Sequence, residues 1–259
     1  MTVVRRPLTA RGVIASTLIG TSPPLLSARR LVRVGELFGI NAGTIRVALS
    51  RMQAAGEVAK RERGYELVGD LLKRRDAQTE GRAAPVTRWD NTWEMVAVTA
   101  AAGSSSARSK TRRSLTRLRL GELREGLWMR PANLDPDRSA SVRSEIAGST
   151  ASFSGHPEDD PRALATQLWD LDAWSQDASE LIASIAKLST TLGSSAGDDP
   201  DLLGPGFVES AAVLRLFTSD PLLPVELEPA EWPAAELRSV YNDFDAAYRR
   251  LLLRWLEAL

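Results

Sequence analysis

Apolar positions recur at helical spacing twice in close succession near the start of the chain. In the first run Leu31, Val34, Leu37 and Phe38 fall at i, i+3, i+6 and i+7, which gathers them on one face and leaves Arg29, Arg30 and Arg33 toward the other. In the second, from about Ala42 to Ala55, the stripe is Ile45, Ala48, Leu49 and Met52. Between the two, Gly39 can adopt the left-handed backbone that stops a helix and Asn41 can cap the next one. The pattern therefore predicts two helices joined by a short, sharp turn, with Gly56 closing the second.

The outward face of that second helix carries Gly43, Thr44, Arg46, Val47, Ser50, Arg51 and Ala54. Small side chains flanked by arginines suit a helix lying in a DNA major groove, where arginine reaches guanine edges or phosphates. After Gly56, Val58 and Lys60 and then Tyr65 and Leu67 flank Lys60-Arg61-Glu62-Arg63-Gly64, two short strands with a charged, glycine-containing tip. This reads as a wing whose Lys60, Arg61 and Arg63 meet the phosphate backbone. The whole stretch, Ala28 to Val68, has the layout of a winged helix-turn-helix reader of double-stranded DNA.

The pattern upstream predicts a support helix from Leu8 to Ile19, ended by Gly20 and the Pro23-Pro24 break. Downstream it predicts a short basic helix at Leu71–Arg75 and a polar linker from Gln78 to Pro85. Next come a buried strand at Trp93–Val98, a helix over Ser104–Leu120, a strand at Leu127–Met129, a helix at Ser141–Ala147 and a strand at Ser149–Phe153, a plan of ferredoxin type. From Pro161 the chain reads as helical: Leu164, Leu168, Leu171 and Trp174 share one face, and Leu181, Ile182, Ile185 and Leu188 another. A break rich in Gly, Ser and Asp runs from Gly193 to Pro205. Helices at about Gly206–Phe217 and Glu236–Leu259 follow, separated by Asp220-Pro221-Leu222-Leu223-Pro224 and Trp232-Pro233. Trp169, Trp174, Trp232 and Trp255 are expected in core or dimer contacts. The fold class is α+β, with a winged helix-turn-helix at 1–82, a ferredoxin-like domain at 83–160 and a helical dimerisation domain at 161–259.

Charge divides the molecule. Across 259 residues, 33 Lys and Arg balance 33 Asp and Glu, yet residues 1–130 hold 24 basic against 11 acidic side chains. The basic half has the electrostatic footprint of a polyanion binder, which the acidic half would repel. With no cysteine and one histidine, His156 in a loop-like Gly-His-Pro stretch, disulfides and thiolate chemistry are excluded, a zinc site is not expected and there is no second histidine for a triad or relay. No run is apolar enough to span a membrane and Met1–Arg6 does not open a signal peptide, so a cytoplasmic protein without membrane association is expected. In the helix over Ser104–Leu120, Arg108, Lys110, Arg112, Arg113, Arg117 and Arg119 form a dense basic cluster. It suits DNA phosphates, a phosphorylated effector or an acidic partner, and equally a solvated face.

Several segments together resemble the PaaX family of bacterial transcriptional regulators. They are Glu36-Leu37-Phe38-Gly39-Ile40, Ile45 to Met52 with Ala55-Gly56, Gly126-Leu127-Trp128-Met129-Arg130-Pro131, Leu168-Trp169-Asp170-Leu171, and Asp220 to Leu227 with Trp232-Pro233. The resemblance implies a winged helix, a central ferredoxin-like domain similar to the Cas2 fold, and a C-terminal helical domain that helps form a homodimer. It also implies repression of catabolic genes, as of phenylacetate breakdown, and release by an acyl-coenzyme A such as phenylacetyl-coenzyme A, with no cofactor. Arg112, Arg113 and Arg117 are then the candidates for receiving coenzyme A phosphates.

One departure bears on chemistry. The first central strand ends Val98-Thr99-Ala100, where relatives often carry an acid, and Gly103-Ser104-Ser105-Ser106 is small and polar. A Cas2-like nuclease needs carboxylates to hold its ions, so no catalytic residue is assigned. The expectation is a dimeric repressor whose two readers bind an inverted repeat. The alternative is a protein–protein assembly module in which the basic and acidic halves associate.

Overall fold

Thr9 caps the first helix: its hydroxyl accepts the Gly12 amide at 3.1 Å, and α1 runs Ala10–Gly20. In this computed structural model, which describes residues 8–99, 104–135, 139–193 and 199–258, the chain falls into two compact units. One comprises Met1–Thr79, Asp177–Arg215 and Pro233–Leu259, the other Glu80–Gln176 and Leu216–Trp232. The Met1–Arg6 start, Ala100 to Gly103, the 194–198 part of the glycine-rich break and Leu259 lie outside the described residues.

In the first unit Ser27 caps α2 (Ala28–Glu36) and Asn41 caps α3 (Ala42–Ala54), with Gly39 between them at φ +67°. The hairpin β2 (Val58–Arg61) and β3 (Gly64–Leu67) follows, and a third strand joins it: β1 (Leu25–Leu26) pairs antiparallel with β3, giving the order β1-β3-β2. Two residues are too short a run for periodicity to register, so β1 was not foreseen. Ile14, Leu18, Leu31, Ile45, Leu49, Met52, Val58, Leu67 and Leu71 form the buried core beneath.

The expected glycine tip of the hairpin is corrected by the register. Arg61 pairs with Gly64, so Glu62-Arg63 make a two-residue turn and Gly64 begins the return strand. At φ +146° its missing Cβ would lie 2.1 Å from the Leu26 carbonyl oxygen. Glycine is required there because β1 crosses close behind, not because the turn needs it. The expected linker is corrected too. α4 runs Gly69–Ala83 through most of Gln78–Pro85, and Gln78 is buried.

Most of α8 (Leu171–Gly193), from Asp177, and of α9 (Leu203–Ser219), as far as Arg215, together with α10 (Ala234–Glu257), supply the later parts of the first unit. Phe38 of the helix-turn-helix packs on Phe207 with centroids 5.0 Å apart, Arg33 lies 4.3 Å over the Trp255 ring, and Phe244 stacks on Tyr248. The Tyr248 hydroxyl donates to the Leu203 carbonyl at 3.0 Å, and burial pushes its pKa up.

The second unit is built from β4 (Trp93–Val98), α5 (Ser105–Arg117), β5 (Gly121–Arg124), β6 (Leu127–Pro131), α6 (Ala140–Ile146) and β7 (Thr150–Gly155). Its antiparallel sheet has the order β5-β6-β4-β7, the βαββαβ arrangement of a ferredoxin-like domain. Side chains alternate along β4: Val96 faces Leu115, Leu118, Trp128 and Ile146, while Trp93 faces Met129, Leu168 and Leu223 on the other side. α7 (Pro161–Leu168) covers that second face. Trp174 is buried and stacks on Trp232 with centroids 4.5 Å apart, so both serve the interior.

Two buried arginines hold the Asp220–Pro224 segment in this unit. Arg119 Nη1 donates to the carbonyls of Phe217 and Asp220, each at 2.8 Å. Arg130, 1% exposed, donates to the Pro131 carbonyl at 2.9 Å, to Asn133 Oδ1 at 2.8 Å and to the Leu222 carbonyl at 3.4 Å. Burial lowers the Arg130 pKa to about 9, opposed by the nearby Glu94 charge, and it stays charged at neutral pH. Arg119, read from the sequence as part of the basic surface cluster, is 3% exposed and belongs to the interior.

Candidate nucleic-acid interface

The outward face of α3 is set by its cap and its stripe. Asn41 Oδ1 accepts the Thr44 amide at 2.9 Å and the Thr44 hydroxyl at 3.1 Å, fixing where the helix starts. Ile45, Leu49 and Met52 are buried, which fixes its rotation. Gly43, Thr44, Arg46, Val47, Ser50 and Arg51 are consequently all exposed. Beside this face runs an open groove of about 690 Å³, lined by Thr44, Val47, Ala48, Arg51, Met52 and Ala55 and closed at one edge by Arg11 with Glu57. Arg11 grips Glu57 through both Nε, at 2.9 and 3.1 Å, and Nη2. That bond raises the Arg11 pKa, and Glu57 neutralises its charge.

On the hairpin Lys60, Arg61 and Arg63 are exposed. Arg61 Nε donates to Glu66 Oε2 across the ladder at 2.7 Å, a solvent-exposed pair worth at most about 1 kcal/mol and thus easily exchanged for a phosphate. Neither Arg46, Arg51, Lys60 nor Arg63 has a carboxylate partner among the described residues.

The three arginines singled out for an effector are placed differently from one another. Arg112 pairs with Glu122 at 2.6 Å and lies 5.2 Å over the Trp128 ring; Arg117 pairs with Glu145 at 2.9 Å. Arg113 is exposed on α5. Charge density along the sequence did not register that two of the three already face carboxylates brought in by β5 and α6. Among the described residues no cluster of three or more acidic or histidine side chains forms a metal site, and no helix is long and apolar enough to cross a membrane.

Residues 9–71, the winged helix with its support helix, match the family model described as PaaX-like protein, and residues 86–164 match that of the PaaX protein central Cas2-like domain. The chain belongs to the PaaX family. The two matches coincide with the winged helix and with the ferredoxin-like sheet, and membership supports a regulatory rather than an enzymatic reading. The uncharacterized protein Rv0674 from Mycobacterium tuberculosis, a solved structure, is similar at 36% identity and a TM-score of 0.67, over 94% of this chain and 97% of that one. None of the curated proteins matches the sequence. The Asp220–Pro224 segment lies beyond both matched stretches, and its backbone carbonyls receive the two buried arginines.

Proposed function

We propose that this PaaX-family protein is a transcriptional repressor that binds an inverted DNA repeat as a homodimer and is released by an acyl-coenzyme A. The observation that carries the reading is the exposed face of α3, with Arg46 and Arg51 flanking small side chains and free of carboxylates, beside a hairpin bearing Lys60, Arg61 and Arg63. Arg46, Ser50 and Arg51 reach bases or adjacent phosphates in this reading, and the hairpin cations hold the backbone. The C-terminal helices carry the dimer contact. Arg113 is the first contact for the phosphates of the effector, joined by Arg112 and Arg117 once they leave Glu122 and Glu145. A tenfold shift in operator affinity on release requires about 1.4 kcal/mol of coupling.

The test is selection of duplexes from a random pool, followed by fluorescence-anisotropy titration of the selected and a scrambled duplex at roughly 150 mM salt, where nonspecific attraction is weakened. The titration is repeated with phenylacetyl-coenzyme A. Specific binding lost with the ligand supports the full reading; specific binding without a ligand response keeps the repressor and removes this effector. Equal binding of both duplexes overturns the reading in favour of an assembly module.

A further inference from the structure

We propose that Val47 reads the 5-methyl group of thymine in the major groove, an assignment that rests on the DNA-reading proposal above and adds to it a base and an atom. Gly43, Val47, Ser50 and Ala54 recur at i, i+4, i+7 and i+11 on α3 and so form the line opposite the buried Ile45, Leu49 and Met52. The long hydrogen-bonding side chains stand off this line, Thr44 and Arg51 on one flank, Arg46 and Gln53 on the other. A helix laid in a major groove brings its central line nearest the base edges.

That line offers one hydroxyl, on Ser50, and one protruding apolar side chain. Val47 is 52% exposed, flanked along the line by Gly43 and Ser50, whose side chains are shorter. An isolated exposed valine is unremarkable on a protein surface. This one sits at the centre of a face whose flanking arginines have no carboxylate partner among the described residues, and it lines a groove with Ala48, Met52 and Ala55. The surrounding positive charge selects a polyanion as the occupant. Among the groups in a major groove, the thymine methyl is the apolar one that such a side chain can bury. The flanking arginines would leave guanine and phosphate to themselves, so the central specificity is for T·A over C·G by a methyl contact.

The experiment replaces each thymine of the pool-selected duplex, one at a time, by deoxyuridine, which removes only the methyl group, and titrates full-length wild type and Val47→Ala against each. At one thymine per bound reader, wild type is expected to weaken about fourfold, the worth of one buried methyl group. Val47→Ala is expected to bind the thymine and uracil duplexes alike, with a thermal midpoint shifted little because the side chain is half exposed. Val47→Thr, which keeps one of the two branch methyls, is expected to retain part of the sensitivity and serves as a second variant if the alanine protein folds poorly. If wild type prefers its selected duplex but tolerates uracil everywhere, or if the sensitive position stays sensitive in Val47→Ala, thymine reading is overturned while DNA reading stands. If no duplex is preferred over a scrambled one, both fall together.

Discussion

Arg130 is a charge in the interior whose hydrogen-bond partners are carbonyls and an amide rather than a carboxylate. Such a group is tolerated because its donors are taken up, and its removal strands the acceptors it served. In Arg130→Met the Asn133 side chain and the Leu222 carbonyl lose a donor at the point where the Asp220–Pro224 segment docks. A loss of about 3 kcal/mol is expected, read as a lower urea midpoint at unchanged slope. Arg130→Lys, a point charge without the planar fork, should recover only part of it. Equal midpoints for wild type and Arg130→Met would show that the guanidinium holds nothing. Ser210 predicts the opposite sign. Its buried Oγ has no hydrogen-bond partner among the described residues and borders a cavity of about 50 Å³ with Gln78, Phe207, Tyr241 and Asp245. Ser210→Ala removes an unsatisfied group and should raise stability by about 1 kcal/mol, seen as a higher thermal midpoint; a lower midpoint would mean that ordered water already satisfies the hydroxyl.

The wing hairpin shows at element scale how one position can carry a strand pairing. Gly64→Ala forces a Cβ toward the Leu26 backbone at a φ that L residues avoid, so β1 must detach from β3. The expected result is a loss of more than about 2 kcal/mol and faster amide exchange at Tyr65 and Leu67, the latter donating to the Pro24 carbonyl, with α1 to α3 otherwise intact. Unchanged exchange on β3 would mean that β1 yields without cost. The same hairpin marks the boundary of what the sequence discloses. Strand β4 was legible residue for residue because Trp93–Val98 is long, apolar and sharply bounded, and the two reader helices were legible through their stripes and caps. β1 and β5 were not, since Leu25–Leu26 is two residues and Gly121–Arg124 alternates too weakly to stand apart from a turn. α4 was cut short because Gln78, Gly81 and their polar neighbours lack an apolar stripe, although Gln78 and Gly81 are buried. The face of α3 could be drawn from spacing alone; the ion pairs that occupy Arg61, Arg112 and Arg117 each join two elements, depend on how those elements pack and could not.

For the whole molecule the zero net charge is misleading, because the basic excess lies in residues 1–130 and an equal acidic excess follows. A polyanion should therefore meet an attraction from the reader that the total charge would not suggest, and its size can be measured through salt. Each phosphate neutralised by a lysine or arginine releases condensed counterions, and log K falls against log salt with a slope of about −0.9 per contact. Arg46, Arg51, Lys60, Arg61 and Arg63 give at most five contacts per reader, so one reader should show a slope of about −4 to −5 and a dimer engaging two half-sites about −9. Titrations of the selected duplex between roughly 50 and 300 mM salt separate these cases. Arg61→Ala should flatten the dimer slope by about two, one contact from each reader, and weaken selected and scrambled duplexes alike. Arg46→Ala should instead change which duplex is preferred, because its flank of α3 borders the base edges. A slope near −9 that drops by about two in Arg61→Ala would place two wings on the backbone at once. A slope near −4 that drops by one would mean that a single reader engages, and an inverted repeat would lose its reason. A slope that ignores Arg61 would remove the wing from the interface and leave α3 alone to hold the DNA.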